Sequence, residues 1–249
     1  MNRVQYSLVN RSAHIRFHVP PVNALPSDVL SELEQAFRRA AADPDAKSIV
    51  LESEGRTFCA GASFDELIRL QDPREAVAFF GGFGRVMLAM KSAPKPVIVR
   101  IQGKTVGGGV GLVAAADLAL AVEEAAFKLS EISIGIGPFV ISPAIRRKGG
   151  TALLQKMSWQ PHRWFSAFDL KKDGLIDHVF ENRSALDEYL EELTAGYARY
   201  DARAMARWKE TLWTGTENWP KLFEQLAEKS AALLLRDSVK NYLQQLKSK

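Results

Sequence analysis

A chain of 249 residues, 47% hydrophobic and 25% charged, carries enough apolar material for a substantial core and lacks the bias of a disordered or fibrous protein. The single cysteine, Cys59, excludes an internal disulfide framework and a cysteine-rich zinc site, and His14, His18, His162 and His178 show no metal-ligand spacing. The net charge of +4 comes from basic residues scattered among acidic ones, with only short clusters such as Arg38-Arg39 and Lys171-Lys172. That pattern describes a solvated surface rather than a nucleic-acid stripe, and the mild positive balance suits a polyanionic small molecule. The first residues have no apolar signal core and no run reaches transmembrane length, so a cytoplasmic protein without membrane partners is expected.

Elements alternate along the chain. Residues 4–9 and 14–19 read as two strands joined by the turn Asn10-Arg11-Ser12. Pro26-Ser27-Asp28 opens a helix carrying Leu30, Leu33, Phe37 and Ala40 at helical spacing, and Asp43-Pro44 stops it. Residues 48–53 form a short apolar strand. Phe58-Cys59-Ala60-Gly61-Ala62-Ser63 follows as a small-residue loop entering a helix. A further helix over about 73–91 is expected to be interrupted at Gly81-Gly82, and residues 97–102 read as a strand. Residues 118–122 are a strand, and 127–138 an extended segment with a loop. From about Ser184 the chain is almost wholly helical, with Leu186, Leu190 and Leu193 and later Leu222, Leu226 and Leu233 in register. Strands with intervening helices, then a helical tail, indicate the α/β class.

The sharpest chemical signal is Gly107-Gly108-Gly109-Val110-Gly111-Leu112, which follows a buried strand and opens a helix. Consecutive glycines remove every Cβ from a helix start, so backbone N–H groups can close on a ligand oxygen with the positive end of the helix dipole behind them. Such a site suits an oxyanion, for instance the enolate of a thioester. By itself the cluster serves equally as a tight turn or a close packing contact. Gly109-Val110-Gly111-Leu112-Val113-Ala114, with Glu131 20 residues beyond Gly111, also fits a dinucleotide-binding spacing. Against that reading, Gln102-Gly103-Lys104-Thr105 separates the glycines from the apolar strand.

The assembled pattern settles the matter as a resemblance. Phe58 to Ser63 precedes the triple glycine, and Phe127-x-x-x-Glu131-x-x-x-Gly135 follows it. With Pro21-Val22-Asn23-Ala24-Leu25 near the start and Lys171-Lys172-Asp173-Gly174-Leu175-Ile176 later, this order resembles the enoyl-CoA hydratase/isomerase (crotonase) superfamily over nearly the whole chain. The resemblance implies a spiral of strand–strand–helix units over 1–198 and a C-terminal helical region, 199–249, that assembles homotrimers, often stacked as hexamers. It implies an acyl-CoA thioester as substrate and no separate cofactor. The thioester oxygen is expected between the amides of Ala62 and Gly108, and Ala24, Ala60, Ser63, Phe64 and Asp65 are expected along the CoA arm. Glu131 matches one of the two glutamates that hydratases of the family commonly use. The other position is Gly111, expected beside the substrate. Similarity of the Gly135 to Pro143 segment to bacterial methylglutaconyl-CoA hydratase-like members favours hydration, with double-bond isomerisation as the alternative. Loss of the first glutamate also leaves open a non-catalytic subunit that binds acyl-CoA or RNA. The acyl group itself is not legible.

Overall fold

The computed structural model describes residues 3–247. A hairpin of β1 (Val4–Val9) and β2 (Ser12–Phe17) leads through β3 (Ala24–Leu25) into α1 (Ser27–Ala42). Then come β4 (Ser48–Ser53), β5 (Thr57–Cys59), β6 (Gly61–Ala62), α2 (Phe64–Arg69) and α3 (Pro73–Ser92). The next unit is β7 (Val97–Ile101), β8 (Lys104–Val106) and α4 (Gly108–Ala114), followed by β9 (Leu118–Val122) and β10 (Ala126–Lys128). A single 3-10 turn spans Glu131–Ile134. The remainder is α5 (Ser142–Ser158), β11 (Phe165–Ser166), α6 (Ala167–Lys172), β12 (His178–Phe180), α7 (Arg183–Tyr197), α8 (Ala202–Leu212), α9 (Trp219–Leu234) and α10 (Asp237–Lys247).

Strand–strand–helix repetition distributes alternate strands to two sheets. Six strands run in the order β1-β2-β4-β7-β9-β12, parallel from β2 onward, and four run β11-β10-β8-β5. The pair β3-β6 stands apart and brings Ala24 beside Gly61 and Leu25 beside Ala62. All six residues of β4 are buried, as expected of a parallel strand covered on both faces.

Three expectations change. First, α3 runs unbroken through Gly81-Gly82. A Cβ at Gly82 would lie 3.0 Å from Leu30 Cδ1, so the small residue lets α1 and α3 approach rather than ending the helix. Second, of the extended segment expected over 127–138 only residues 127–128 are strand, because the chain after Ser130 coils into the 3-10 turn. Third, α5 escaped the sequence reading. Its centre, Arg146-Arg147-Lys148-Gly149-Gly150, has no apolar stripe, and Gly150 leaves helical geometry at φ 81°.

The C-terminal helices share the core of the preceding units. Phe223 of α9 packs where a Cβ on Gly84 of α3 would be 3.0 Å away. Asp117, after α4, accepts from Val97 N (2.8 Å) and Trp213 Nε1 (2.9 Å) and pairs with the buried Lys209 of α8 at 2.8 Å. Burying the Lys209 charge is tolerable only because it pairs and hydrogen-bonds. Among the described residues no helix is long and apolar enough to cross a membrane.

Candidate active site

Two sequence-distant loops and the 3-10 turn enclose a cavity of about 320 Å³. Ala60, Gly61 and Ala62 form one wall, Val106, Gly107 and Gly108 a second, and Ser130, Glu131 and Ile134 a third. Phe80 and Phe83 of α3, Ile136 to Ile141, and Ser230 of α9 complete an almost wholly apolar lining. Among the described residues Glu131 is the one ionisable side chain on that lining.

Local sequence dictates the loop geometry. Asn23, in a left-handed conformation at φ 57°, accepts from Val19 N and donates through Nδ2 to Glu54 O (2.8 Å) and Thr57 O (2.7 Å). These bonds hold Ala24 against the loop of Ala60 to Ala62. Ala60 N–H is spent on the carbonyls of Val22 and Asn23. Opposite, Gly107 adopts φ 52° and donates to Lys128 O at 2.9 Å, which ties the glycine turn to the strand leading to Glu131. Gly108 opens α4, so its N–H has no acceptor within the helix. A Cβ on Gly108 would lie 2.2 Å from the Phe83 ring, and one on Gly107 would lie 2.8 Å from Glu131 Oε1. Glycine at both positions is thus a demand of space, with the catalytic carboxylate candidate packed directly over the helix start.

Glu131 itself is held in an apolar setting. Its Oε2 is buried without a hydrogen-bond partner. Burial pushes the carboxyl up to about 7, against the backbone amides of Glu131 and Ser130, which favour the charged form. A carboxyl poised near neutrality in a cavity is suited to taking and returning protons. Cys59 contrasts with it: burial raises its thiol to about 12, and its Sγ accepts from Gly61 N at 3.4 Å.

Of the residues singled out from sequence, Ala24, Ala60, Ala62, Phe64, Gly108 and Glu131 line the cavity. Ser63, Asp65 and Gly111 do not. The Ser63 hydroxyl caps α2 by accepting from Glu66 N, and Asp65 points outward to pair with Lys247 at 2.6 Å. Gly111 is buried inside α4, where a Cβ would stand 2.3 Å from Ile141 Cγ2 and 3.4 Å from Met87 Sδ. Ile141, which does face the cavity, therefore fills the space that a side chain at 111 would enter. Phe83, Ile141 and Ser230 have no signal in the sequence, since single apolar residues or serines in helices carry no local mark of a shared cavity. Phe139 and Val140, expected from sequence to close the space beside Gly111 in an isomerase, line the cavity, but Ile141 is the residue against Gly111.

Comparison with known proteins gives the family and the fold. The family model described as enoyl-CoA hydratase/isomerase matches residues 10–242. A Bacillus subtilis (strain 168) protein named "Probable enoyl-CoA hydratase" is 30% identical over 217 residues, covering 86% of this chain and 83% of that one. A Rhodococcus jostii (strain RHA1) protein named as a (7aS)-7a-methyl-1,5-dioxo-2,3,5,6,7,7a-hexahydro-1H-indene-carboxyl-CoA hydrolase is 37% identical over 193 residues, 78% of this chain and 73% of its own. The crystal structure of an enoyl-CoA hydratase from Mycobacterium avium superposes with a TM-score of 0.88 at 28% identity, covering 100% of this chain and 97% of that chain. The fold of alternating two-sheet units is thus shared with that hydratase structure, and this chain belongs to the enoyl-CoA hydratase/isomerase family.

Proposed function

We propose that the protein acts on an enoyl-CoA thioester, with Glu131 as its sole acid/base and the amides of Ala62 and Gly108 as the oxyanion hole. The reaction this set completes unaided is migration of the double bond from C3 to C2. The Glu131 carboxylate takes a proton from C2 of a 3-enoyl thioester. The electron pair moves to the thioester oxygen, giving a dienolate that accepts hydrogen bonds from the two amides. The same carboxyl then delivers its proton to C4, and the C2–C3 double bond forms as the carbonyl is restored. Charge appears on the oxygen only after proton removal, so amides fixed in advance favour the transition state over the substrate.

One observation carries the choice of reaction: Ile141 occupies the space beside Gly111. The sequence alone favours hydration, which would be served by a water or acyl atoms in that space. An isoleucine methyl group there removes the room for a second water-holding group and keeps water from the intermediate. Hydration is the second reading, favoured by the name of the Bacillus subtilis relative. In it Glu131 takes a proton from water as the oxygen adds to C3, and returns it to C2. The test is a panel of trans-2- and trans-3-enoyl-CoA thioesters assayed for both outcomes. Conversion of 3-enoyl to 2-enoyl esters with little hydration supports migration, whereas rapid hydration of 2-enoyl esters overturns it. Turnover of neither class refutes the catalytic assignment and favours a binding-only protein.

A further inference from the structure

The segment Ile136 to Phe139 has two exposed sides. One faces the catalytic cavity, and the other faces a separate apolar groove of about 470 Å³ walled by Leu154, Trp159 and Leu233. A wall one backbone thick therefore divides the two spaces. One aromatic ring lies across this wall. Phe139 folds back over Gly137, where a Cβ would lie 2.5 Å from Phe139 Cε2, and Phe139 N–H donates to Gly137 O at 2.8 Å. The Phe139 carbonyl accepts from Ser142 N and Ser142 Oγ, which pins the wall to the start of α5. Cavities that bind small molecules typically span about 300–1,000 Å³, so about 320 Å³ is a small chamber.

We infer that Phe139 is a specificity-determining residue that stops the acyl chain at the wall, with the groove beyond it as the space a longer chain would occupy once the ring is removed. The inference rests on the acyl-CoA reading of the cavity. It goes beyond that reading by assigning substrate length to one side chain. The native substrate class is then a short acyl thioester. The side chain makes no contribution to proton transfer, so its removal changes which chains fit rather than the chemistry.

The experiment measures kcat/KM for 3-enoyl- and 2-enoyl-CoA esters of increasing chain length, with wild type, Phe139→Ala and Phe139→Leu. Binding of saturated acyl-CoA esters of the same lengths is measured alongside by calorimetry. Burying one methylene is worth roughly fourfold in affinity, so a chain longer by several methylenes should gain at least about tenfold in Phe139→Ala even where the fit is imperfect. The short esters, whose chain end loses the ring it packs against, should not gain, so the preference shifts toward long chains, and Phe139→Leu should fall between. A chain-length profile identical in wild type and Phe139→Ala, in folded proteins that bind or turn over short esters, overturns the inference. Wild type that binds no acyl-CoA at any length instead refutes the acyl-CoA reading itself. Wild type that already prefers long chains places the chain elsewhere and also overturns the inference.

Discussion

Replacing Glu131 with glutamine should stabilise the protein in proportion to pH while removing its activity. The wild-type carboxyl is buried with an unpartnered Oε2, and burial lifts it from an ordinary 4.5 to about 7. That difference corresponds to about 3 kcal/mol of disfavour for the ionised form in the folded state. The sign follows from the raised value. The favourable contribution is fully present below 4.5 and is lost as pH rises through about 7. Glutamine has nearly the same shape and never ionises, though burying its amide costs about 1 kcal/mol or more. The net gain above neutrality is then about 2 kcal/mol, which for a chain of this size is a Tm rise of about 4–8 °C at pH 8.5. Near pH 5 the two proteins should melt within about 2 °C of each other, since the folded Glu131 is then neutral and the small cost of its ionisation in the unfolded chain roughly offsets the cost of burying the amide. Thermal melts of both proteins from pH 5 to 9 measure the difference. A Tm gap independent of pH, or a variant less stable at pH 8.5, would refute the placement of this carboxyl in an apolar, unpartnered setting.

The same group governs rate. kcat/KM for migration should rise with pH through about 7 as Glu131 ionises and becomes a base, and a flat profile would remove it from that role. Gly108→Pro deletes one proposed oxyanion donor at a first-turn position where proline suits the backbone, although its ring must displace Phe83. The expected loss is at least about 10²-fold in kcat, and unchanged kcat with full folding would exclude the Gly108 amide. Gly111→Glu forces a side chain onto Ile141, so it should destabilise by about 1–3 kcal/mol and lower native turnover. Adding Ile141→Ala should recover stability and open a two-carboxylate site, and hydration gained only in that double variant would support Ile141 as the group that excludes water.

Much of the fold was legible because parallel strands covered on both faces carry apolar runs, as Ile49-Val50-Leu51 and residues 118–122 do. The small-residue and glycine loops were legible for a related reason: close backbone approach forbids side chains, and Gly108 meets Phe83 where any Cβ would stand. What escaped depends on distant partners. The Gly81-Gly82 pair has the local signature of a helix break, and its role as a close contact depends on Leu30 from another helix. The helix over Ser142–Ser158 lacks a stripe because its middle is basic and glycine-rich. In sequence Gly111 stands as a residue beside the substrate, and only tertiary packing shows Ile141 between it and the cavity. Ser230 reaches the same cavity from α9, about a hundred residues beyond Glu131, with nothing in its own helix to mark it.

The most direct test of the central claim follows one hydrogen. A trans-3-hexenoyl-CoA carrying deuterium at both C2 positions is converted under single-turnover conditions, and the product is read by NMR. If one carboxylate both removes and returns the proton, a measurable fraction of the deuterium lost from C2 appears at C4 of trans-2-hexenoyl-CoA, and Glu131→Gln forms that product about 10²–10⁴-fold more slowly. Hydrogen at C4 drawn wholly from solvent, or a Glu131→Gln enzyme that works at the wild-type rate, would contradict a single-carboxylate site built on Glu131.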